Sequence, residues 1–172
     1  MLPVGGCVVK VAAVNGACSY AWAMVVITPV TPSDRAEWDV LWDGYLAFYE
    51  TELDAETTEA AFARITTEGS GIRGALARDD DGRAIGLVHW LAHPSTWTTT
   101  DYTYLEDLYV AADARGAGAG RALIAHVRDW AAAHGSSKAY WLTAATNATA
   151  RALYDRVATH SGFVHYEIEL GE

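Results

Sequence analysis

The stretch Leu105–His126, LEDLYVAADARGAGAGRALIAH, decides how this chain folds. Its first residues, through Val110, are rich in the β-branched and aromatic side chains that strands favour. The glycine-rich segment Arg115–Gly120 follows at once. Apolar residues then recur at the spacing of a helix, at Leu123, Ile124, Val127 and Trp130. The stretch therefore predicts a strand, a tight turn and a helix.

The predicted turn has the chemistry of a phosphate-binding site. Glycine allows another molecule to approach the backbone closely. The first turn of a helix has unpaired amide donors and the positive end of the helix dipole. Arg115 and Arg121 would add charge in an acidic protein. No Gly-Lys-Ser/Thr of a P-loop is present, and a dinucleotide fingerprint normally follows the first strand. An ordinary strand-to-helix turn is the remaining alternative.

Outward from this stretch, hydrophobic patterns alternate between strand and helix. They predict one α/β or α+β domain around a single sheet. A hairpin turn is expected at Asp79–Gly82. The predicted strands are Val25–Val30, Ala75–Arg78, Ala84–Ala92, Tyr102–Val110, Lys138–Thr143 and Phe163–Leu170. The predicted helices are Asp34–Tyr49, Thr57–Thr67, one ending near Ala133, and Asn147–Val157.

Composition narrows the possible functions. The 172 residues carry a formal net charge of -10, which disfavours nucleic acid and favours cations. No apolar run is long enough to span a membrane. Two cysteines, Cys7 and Cys18, make no disulfide framework, so a cytoplasmic protein is expected. His89 and His93 are four apart on a strand and its exit loop, and no metal site is expected.

Residues 1–23 differ from the rest in being rich in Val, Ala and Gly. They have no cationic region ahead of their apolar part, as a signal peptide would. The prediction is an appended or non-native leader before a domain over residues 24–172. A short extra strand or helix is the alternative.

Three motifs together resemble the GNAT superfamily of N-acetyltransferases over about Val25 to Leu170. Arg115–Gly120 matches Arg/Gln-x-x-Gly-x-Gly/Ala, and Tyr104–Val110 is similar to the strand before it. The third motif is Asn147-x-x-Ala150-x-x-Leu153-Tyr154, followed by Gly162-Phe163. The resemblance is nearest to the polyamine and histone acetyltransferase branch. It implies a mixed, mostly antiparallel twisted sheet, splayed at the acetyl-CoA site, with helices on both faces, and a homodimer.

The resemblance also implies the residues that bind acetyl-CoA. The turn would hold the pyrophosphate by backbone amides, and the end of the strand would pair with the pantetheine arm. The expected set is Leu108, Tyr109, Val110, Arg115, Gly116, Ala117, Gly118, Ala119, Gly120, Arg121, Asn147, Ala150 and Tyr154.

Two residues are expected to be catalytic, because acetyl transfer to an amine needs a base and a proton donor. Tyr154 matches the family tyrosine that protonates the CoA sulfur, with helix packing as the alternative. Glu106 is the candidate base, directly or through water, although it could only orient the substrate. Strand alternation places Asp107 on the opposite face unless a bulge intervenes.

The acceptor is expected to be a small cationic amine or a lysine-bearing peptide. Aromatic and acidic residues suit such a cation, and the substrate-binding predictions are Tyr45, Tyr49, Glu50, Trp97 and Asp107. Two rival hypotheses remain. One is an enzyme of the same fold that uses another acyl-CoA, and the other is a non-catalytic acetyl-CoA sensor.

Overall fold

The computed structural model describes the backbone of residues 7–10 and all of residues 24–170. The chain divides into two compact units, Met1–Leu142 and Thr143–Glu172. Of the predicted leader, residues 7–10 form a strand, and the remainder lies outside the described residues. The leader's origin stays a prediction.

In the described part of the chain, the first unit has one sheet of six strands in chain order. Neighbouring strands from β1 to β5 are antiparallel, whereas β6 runs parallel to β5. The mixed, mostly antiparallel sheet that the sequence predicts is thereby confirmed. The strands are β1 Cys7–Lys10, β2 Met24–Pro29, β3 Ile72–Arg78, β4 Ala84–Pro94, β5 Asp101–Val110 and β6 Lys138–Tyr140.

Three helices of this unit cover both faces of the sheet, as predicted. Helices α1 (Arg35–Phe48) and α2 (Ala55–Thr66) lie on one face, and α3 (Ala119–Ala133) lies on the other. Side chains along β4 alternate between the two faces of the sheet. Leu87 packs with α1 and α2, whereas Trp90 contacts α3. Asp54 begins α2 by accepting a hydrogen bond from the Thr57 amide at 2.7 Å.

The core between the sheet and α1 holds large side chains at helical spacing. Trp38, Leu41 and Trp42 are buried on one side of α1. They pack against Phe62 of α2 and Leu87 of β4. Burying such side chains contributes about 1.5–3 kcal/mol each. The position of α1 over β4 and β5 is therefore firmly set.

Strand β5 departs from regular geometry at two places. Its register against β4 shifts, because His89 pairs with Asp107 while Trp90 pairs with Leu105, leaving Glu106 as an extra residue. This is a β-bulge. Among the described residues, β6 ends at Tyr140 and pairs only with Tyr102–Tyr104, so the rest of β5 has no strand partner on that side. This open edge agrees with the predicted splaying of the sheet.

The second unit contains helix α4, Ala148–Val157, and the segment that follows it. The predicted strand Phe163–Leu170 is wrong, because no regular structure is present at residues 158–170. Its apolar side chains do alternate, but a strand also needs a neighbouring backbone to pair with. The large apolar residues of this segment are all exposed: Phe163, Val164, Tyr166, Ile168 and Leu170.

Candidate active site

The glycine-rich turn after β5 presents amide groups at the start of α3. Gly118 is the residue before the helix, with φ 91° and ψ 0°, and Gly116 also has a positive φ, 86°. The first helical bond runs from the Ala122 amide to the Gly118 oxygen, at 3.0 Å. Within the described residues, the amides of 118–121 donate no hydrogen bond. They are available to an anion.

The two arginines of this segment are both at its surface. The Arg115 guanidinium donates from Nε to the Val110 oxygen at 3.2 Å and lies 5.9 Å from the centre of the Phe48 ring. Arg121 is exposed in the first turn of α3. The small residue Ala117 completes the turn, and Ala119 and Gly120 begin α3. The segment therefore combines main-chain donors with positive charge.

The end of β5 offers a second set of backbone groups. Leu108, Tyr109 and Val110 pair with β4 on one side. On the side toward β6, residues 105–110 have no strand partner in the described part of the chain. The Tyr109 side chain points to α1, where the absent Cβ of Gly44 makes room for its ring. An amide-containing ligand can pair with such an open edge.

A bulge in β5 separates two neighbouring carboxylates from the regular alternation of the strand. Without it, Glu106 and Asp107 would point to opposite sides. In the structure, Asp107 points toward α1 and binds His89 Nδ1 through Oδ2 at 2.9 Å. Glu106 is next to it and feels its charge, and Tyr104 on the same face feels the charge of Glu106. A bulge, the exception to strand alternation, is thus present here.

Three tyrosines surround these acids. Burial raises the pKa of Tyr45 far above its usual value, and the charge of Asp107 raises it further. Burial and Asp107 also raise the pKa of Tyr49. Burial and the charge of Glu106 raise the pKa of Tyr104. All three phenols stay protonated near neutral pH and can donate hydrogen bonds.

The environment of Glu106 raises the pKa of its carboxyl group. The residue is exposed, yet partial burial of its carboxyl raises its pKa, and the negative charge of Asp107 raises it further. A carboxylate with a raised pKa is a better proton acceptor than an ordinary one. Because it remains open to solvent, Glu106 can exchange a proton directly or through water.

Two of the substrate-binding predictions lie in more open positions. Trp97 is in the loop between β4 and β5, and its side chain is 89% exposed. Glu50 follows α1 and is exposed, with a positive φ of 53°. Tyr45, Tyr49 and Asp107 are therefore grouped by the fold, whereas no contact to that group is seen for these two residues among the described ones.

The predicted residues of the second unit all belong to α4 and its start. Asn147 caps the helix, because its Oδ1 accepts from the Ala150 amide at 3.2 Å, and its Nδ2 donates to Thr143 Oγ1. This capping explains why Asn147 and Ala150 are three residues apart. Tyr154 lies in the middle of the helix and is partly buried.

One residue of the site was not predicted from the sequence. His89 is buried on β4 between the Trp38 indole and Asp107. From the sequence, His89 is considered only as a metal ligand. The available signal was a histidine inside an otherwise apolar strand, which must find hydrogen-bond partners when buried.

Two further features concern other kinds of site. Among the described residues, no group of three or more His, Cys, Asp or Glu side chains is placed to hold a metal ion. In the same residues, no helix is both long and apolar enough to cross a bilayer.

Comparisons with known proteins agree with this geometry. The family model described as "Acetyltransferase (GNAT) family" matches residues 36–158. The D-amino-acid N-acetyltransferase HPA3 of Saccharomyces cerevisiae is 36% identical over 144 residues, which cover 83% of this chain and 89% of the relative.

Solved structures show a similar fold. A ribosomal-protein-alanine N-acetyltransferase from Brucella melitensis biovar Abortus 2308 has a TM-score of 0.71 at 22% identity, over 85% of this chain and 99% of the other. The aminoglycoside N-acetyltransferase AAC(6')-Iy in complex with CoA has a TM-score of 0.74 at 16% identity, over 88% and 99% of the two chains.

Proposed function

Because the chain belongs to the GNAT acetyltransferase family, we propose that it transfers acetyl from acetyl-CoA to the primary amine of a small cationic acceptor, such as a polyamine or a lysine side chain. One observation carries the choice of acceptor. Asp107 lies on the face of β5 toward α1 near three tyrosines, and Glu106, the bulge residue, lies next to it. Carboxylates and aromatic faces together attract an ammonium group.

In this proposal acetyl-CoA binds along the open edge of β5 and at the start of α3. The unpaired amides of residues 118–121 would hold the pyrophosphate, with Arg115 and Arg121 adding charge. Backbone groups of Leu108–Val110 would pair with the pantetheine arm. Asn147 and Ala150 keep the cofactor-binding role that the resemblance implies.

The reaction requires two proton acceptors and one proton donor. Glu106 accepts the first proton that the ammonium loses, so that the nitrogen lone pair can attack the thioester carbon. A C–N bond forms and the C–S bond breaks. The departing thiolate takes a proton from Tyr154, the role implied by the resemblance. The second proton that the nitrogen loses as the amide forms passes through water and restores the phenol, and Glu106 releases its proton to solvent. Tyr45, Tyr49 and Asp107 would hold the acceptor, and Glu50 and Trp97 remain candidates for its outer part.

A second acceptor class is favoured by one comparison. The relative at 36% identity is named a D-amino-acid N-acetyltransferase. An amino acid carries a carboxylate next to its amine, which Glu106 and Asp107 would repel. The two classes therefore differ in whether negative charge near the amine is tolerated.

An amine panel with acetyl-CoA, followed by free thiol release, tests the proposal. The panel contains polyamines, aminoglycosides, lysine peptides, and D- and L-amino acids with their amides. We expect the highest kcat/KM for cationic amines without a carboxylate, and a loss of that preference in Asp107→Asn. Preference for a D-amino acid over its amide, unchanged in Asp107→Asn, would refute the cationic acceptor.

The same assay separates the two rival hypotheses. A sensor would bind acetyl-CoA in calorimetry but release no thiol with any amine. An enzyme for another acyl group would use a longer acyl-CoA at a higher kcat/KM than acetyl-CoA. We expect neither result.

We also propose that the protein is a cytoplasmic homodimer. The exposed apolar side chains of residues 163–170 support a contact between two copies, because monomers rarely leave such a group uncovered. Light scattering should give twice the monomer mass, and Phe163→Ser with Ile168→Ser should halve it. Val40→Ser, an exposed valine on α1, is the control. A monomeric wild type would contradict the proposal.

A further inference from the structure

His89 stands between an indole and a carboxylate in the interior of the first unit. Trp38 Nε1 lies 2.9 Å from His89 Nε2, and His89 Nδ1 lies 2.9 Å from Asp107 Oδ2. Trp38 is fully buried, and the side chains of His89 and Asp107 are 3% and 16% exposed. The three groups form one continuous chain from α1 through β4 to β5.

The donor inventory fixes where the imidazole proton is. An indole nitrogen can only donate, so His89 Nε2 must accept and carry no proton. The ring is then neutral with its proton on Nδ1, and it donates that proton's hydrogen bond to Asp107. A doubly protonated ring would set one N–H against another. Trp38 therefore selects the tautomer of His89.

Among the residues that the structure describes, no other hydrogen-bond partner of the His89 ring is found. On α1, Trp42 lies 5.6 Å from it, ring centre to ring centre. On β3, the ideal Cβ of Gly74 would come within 3.2 Å of His89 Cδ2. The acidic groups on the β5 side are Asp107 and, beside it, Glu106. The other titratable groups near Asp107 are the phenols of Tyr45, Tyr49 and Tyr104.

We propose that His89 is a positioning residue that fixes the Asp107 carboxylate for the acceptor amine, with Trp38 holding His89 in the tautomer that does so. This inference rests on the proposed function. His89 occupies one of the roughly four lone-pair positions of the Asp107 carboxylate. The remaining positions, held in a fixed orientation, accept hydrogen bonds from the acceptor ammonium.

Two pairs of variants test the two hydrogen bonds that His89 makes, one to Trp38 and one to Asp107. Trp38→Phe removes the donor to His89, whereas Trp42→Phe is a matched control. Trp42 stacks on Trp38 and is also buried, but its Nε1 has no protein partner among the described residues. His89→Asn keeps an N–H near the position of Nδ1, and His89→Gln moves it toward the position of Nε2.

Nitrogen NMR of the histidine rings gives the first readout. We expect wild type and Trp42→Phe to show His89 with a protonated Nδ1 and an unprotonated Nε2. In Trp38→Phe, which has no donor to Nε2, the Nε2–H tautomer should become populated. A wild-type Nε2–H tautomer, or identical spectra for the two tryptophan variants, would overturn the inference.

Kinetics give the second readout, with the best acceptor from the amine panel. His89→Gln should lower kcat/KM for the acceptor by up to about 100-fold, the scale of a small misplacement. The KM for acetyl-CoA should not change, and His89→Asn should retain most of the activity. Equal activity of the two His89 variants would overturn the positioning role alone. No turnover of any amine by wild type would instead overturn the proposed function, and this inference with it.

Discussion

Two glycines of the turn with similar backbone angles allow a direct test of whether CoA binds close to the backbone there. Gly116 and Gly118 have nearly equal φ values, 86° and 91°, in the region where an L side chain is strained. Replacing either by alanine should cost about 1–2 kcal/mol of folding free energy. That cost corresponds to a factor of about 5–30 in the ratio of folded to unfolded protein.

The two substitutions should differ in their effect on acetyl-CoA. A Cβ built at Gly116 meets no other atom within 4 Å, so Gly116→Ala carries only the conformational cost. Gly118 is the residue from which α3 begins, and relaxing its φ turns the amides of residues 119–121 away from their common direction. We expect the Kd of CoA to rise more than about tenfold, or 1.4 kcal/mol, in Gly118→Ala only.

Urea denaturation measures the stability of both variants, and titration calorimetry measures their affinity for CoA. Similar losses of stability with unequal losses of affinity would support the reasoning. If both variants bound CoA as wild type does, or if both lost the same affinity, the start of α3 would not be the pyrophosphate site.

Three further predictions concern catalysis and packing. Tyr154→Phe should lower kcat by about 10²–10⁴ at unchanged CoA affinity, because a proton donor is lost; a wild-type rate of thiol release would remove Tyr154 from the mechanism. In wild type, kcat/KM should fall at acidic pH, because Glu106 acts as a base only when ionised. This fall should lie above the ordinary glutamate pKa of about 4.3, because the pKa of Glu106 is raised. Glu106→Gln should abolish the fall; if it persists unchanged in the pH profile, another group is responsible. Gly44→Ala should destabilise the fold by about 1–3 kcal/mol in urea, since its ideal Cβ would lie 2.6 Å from Tyr109 Oη; a neutral result would mean that α1 shifts freely.

Periodicity was enough to predict most of the fold. The apolar spacing of Trp38, Leu41 and Trp42 predicts α1 to within one residue at each end. The Asp79–Gly82 turn predicts the β3–β4 hairpin, which the register confirms. The strand predicted at Phe163–Leu170 failed because alternation describes the side chains, whereas a strand depends on a partner that the segment itself does not encode.

The site was harder to predict because its geometry depends on pairing between strands. Nothing in the run from Tyr104 to Val110 marks Glu106 as an extra residue, and only the register against β4 reveals it. The partners of His89 are equally non-local, since Trp38 is 51 residues away. The turn at Gly116–Gly118, by contrast, is a local feature, and its positive φ values follow from residue type.

The register shift of β5 also limits how this strand can change in length. Deleting residue 106 would leave Leu105 opposite Trp90 and Asp107 opposite His89, each on its present face, in an unbroken ladder. Deleting a paired residue such as Leu108 would instead slip one end of β5 by one position and reverse its side-chain directions. Residue 106 is thus the position at which β5 can shorten by one residue while the rest of the strand keeps its orientation.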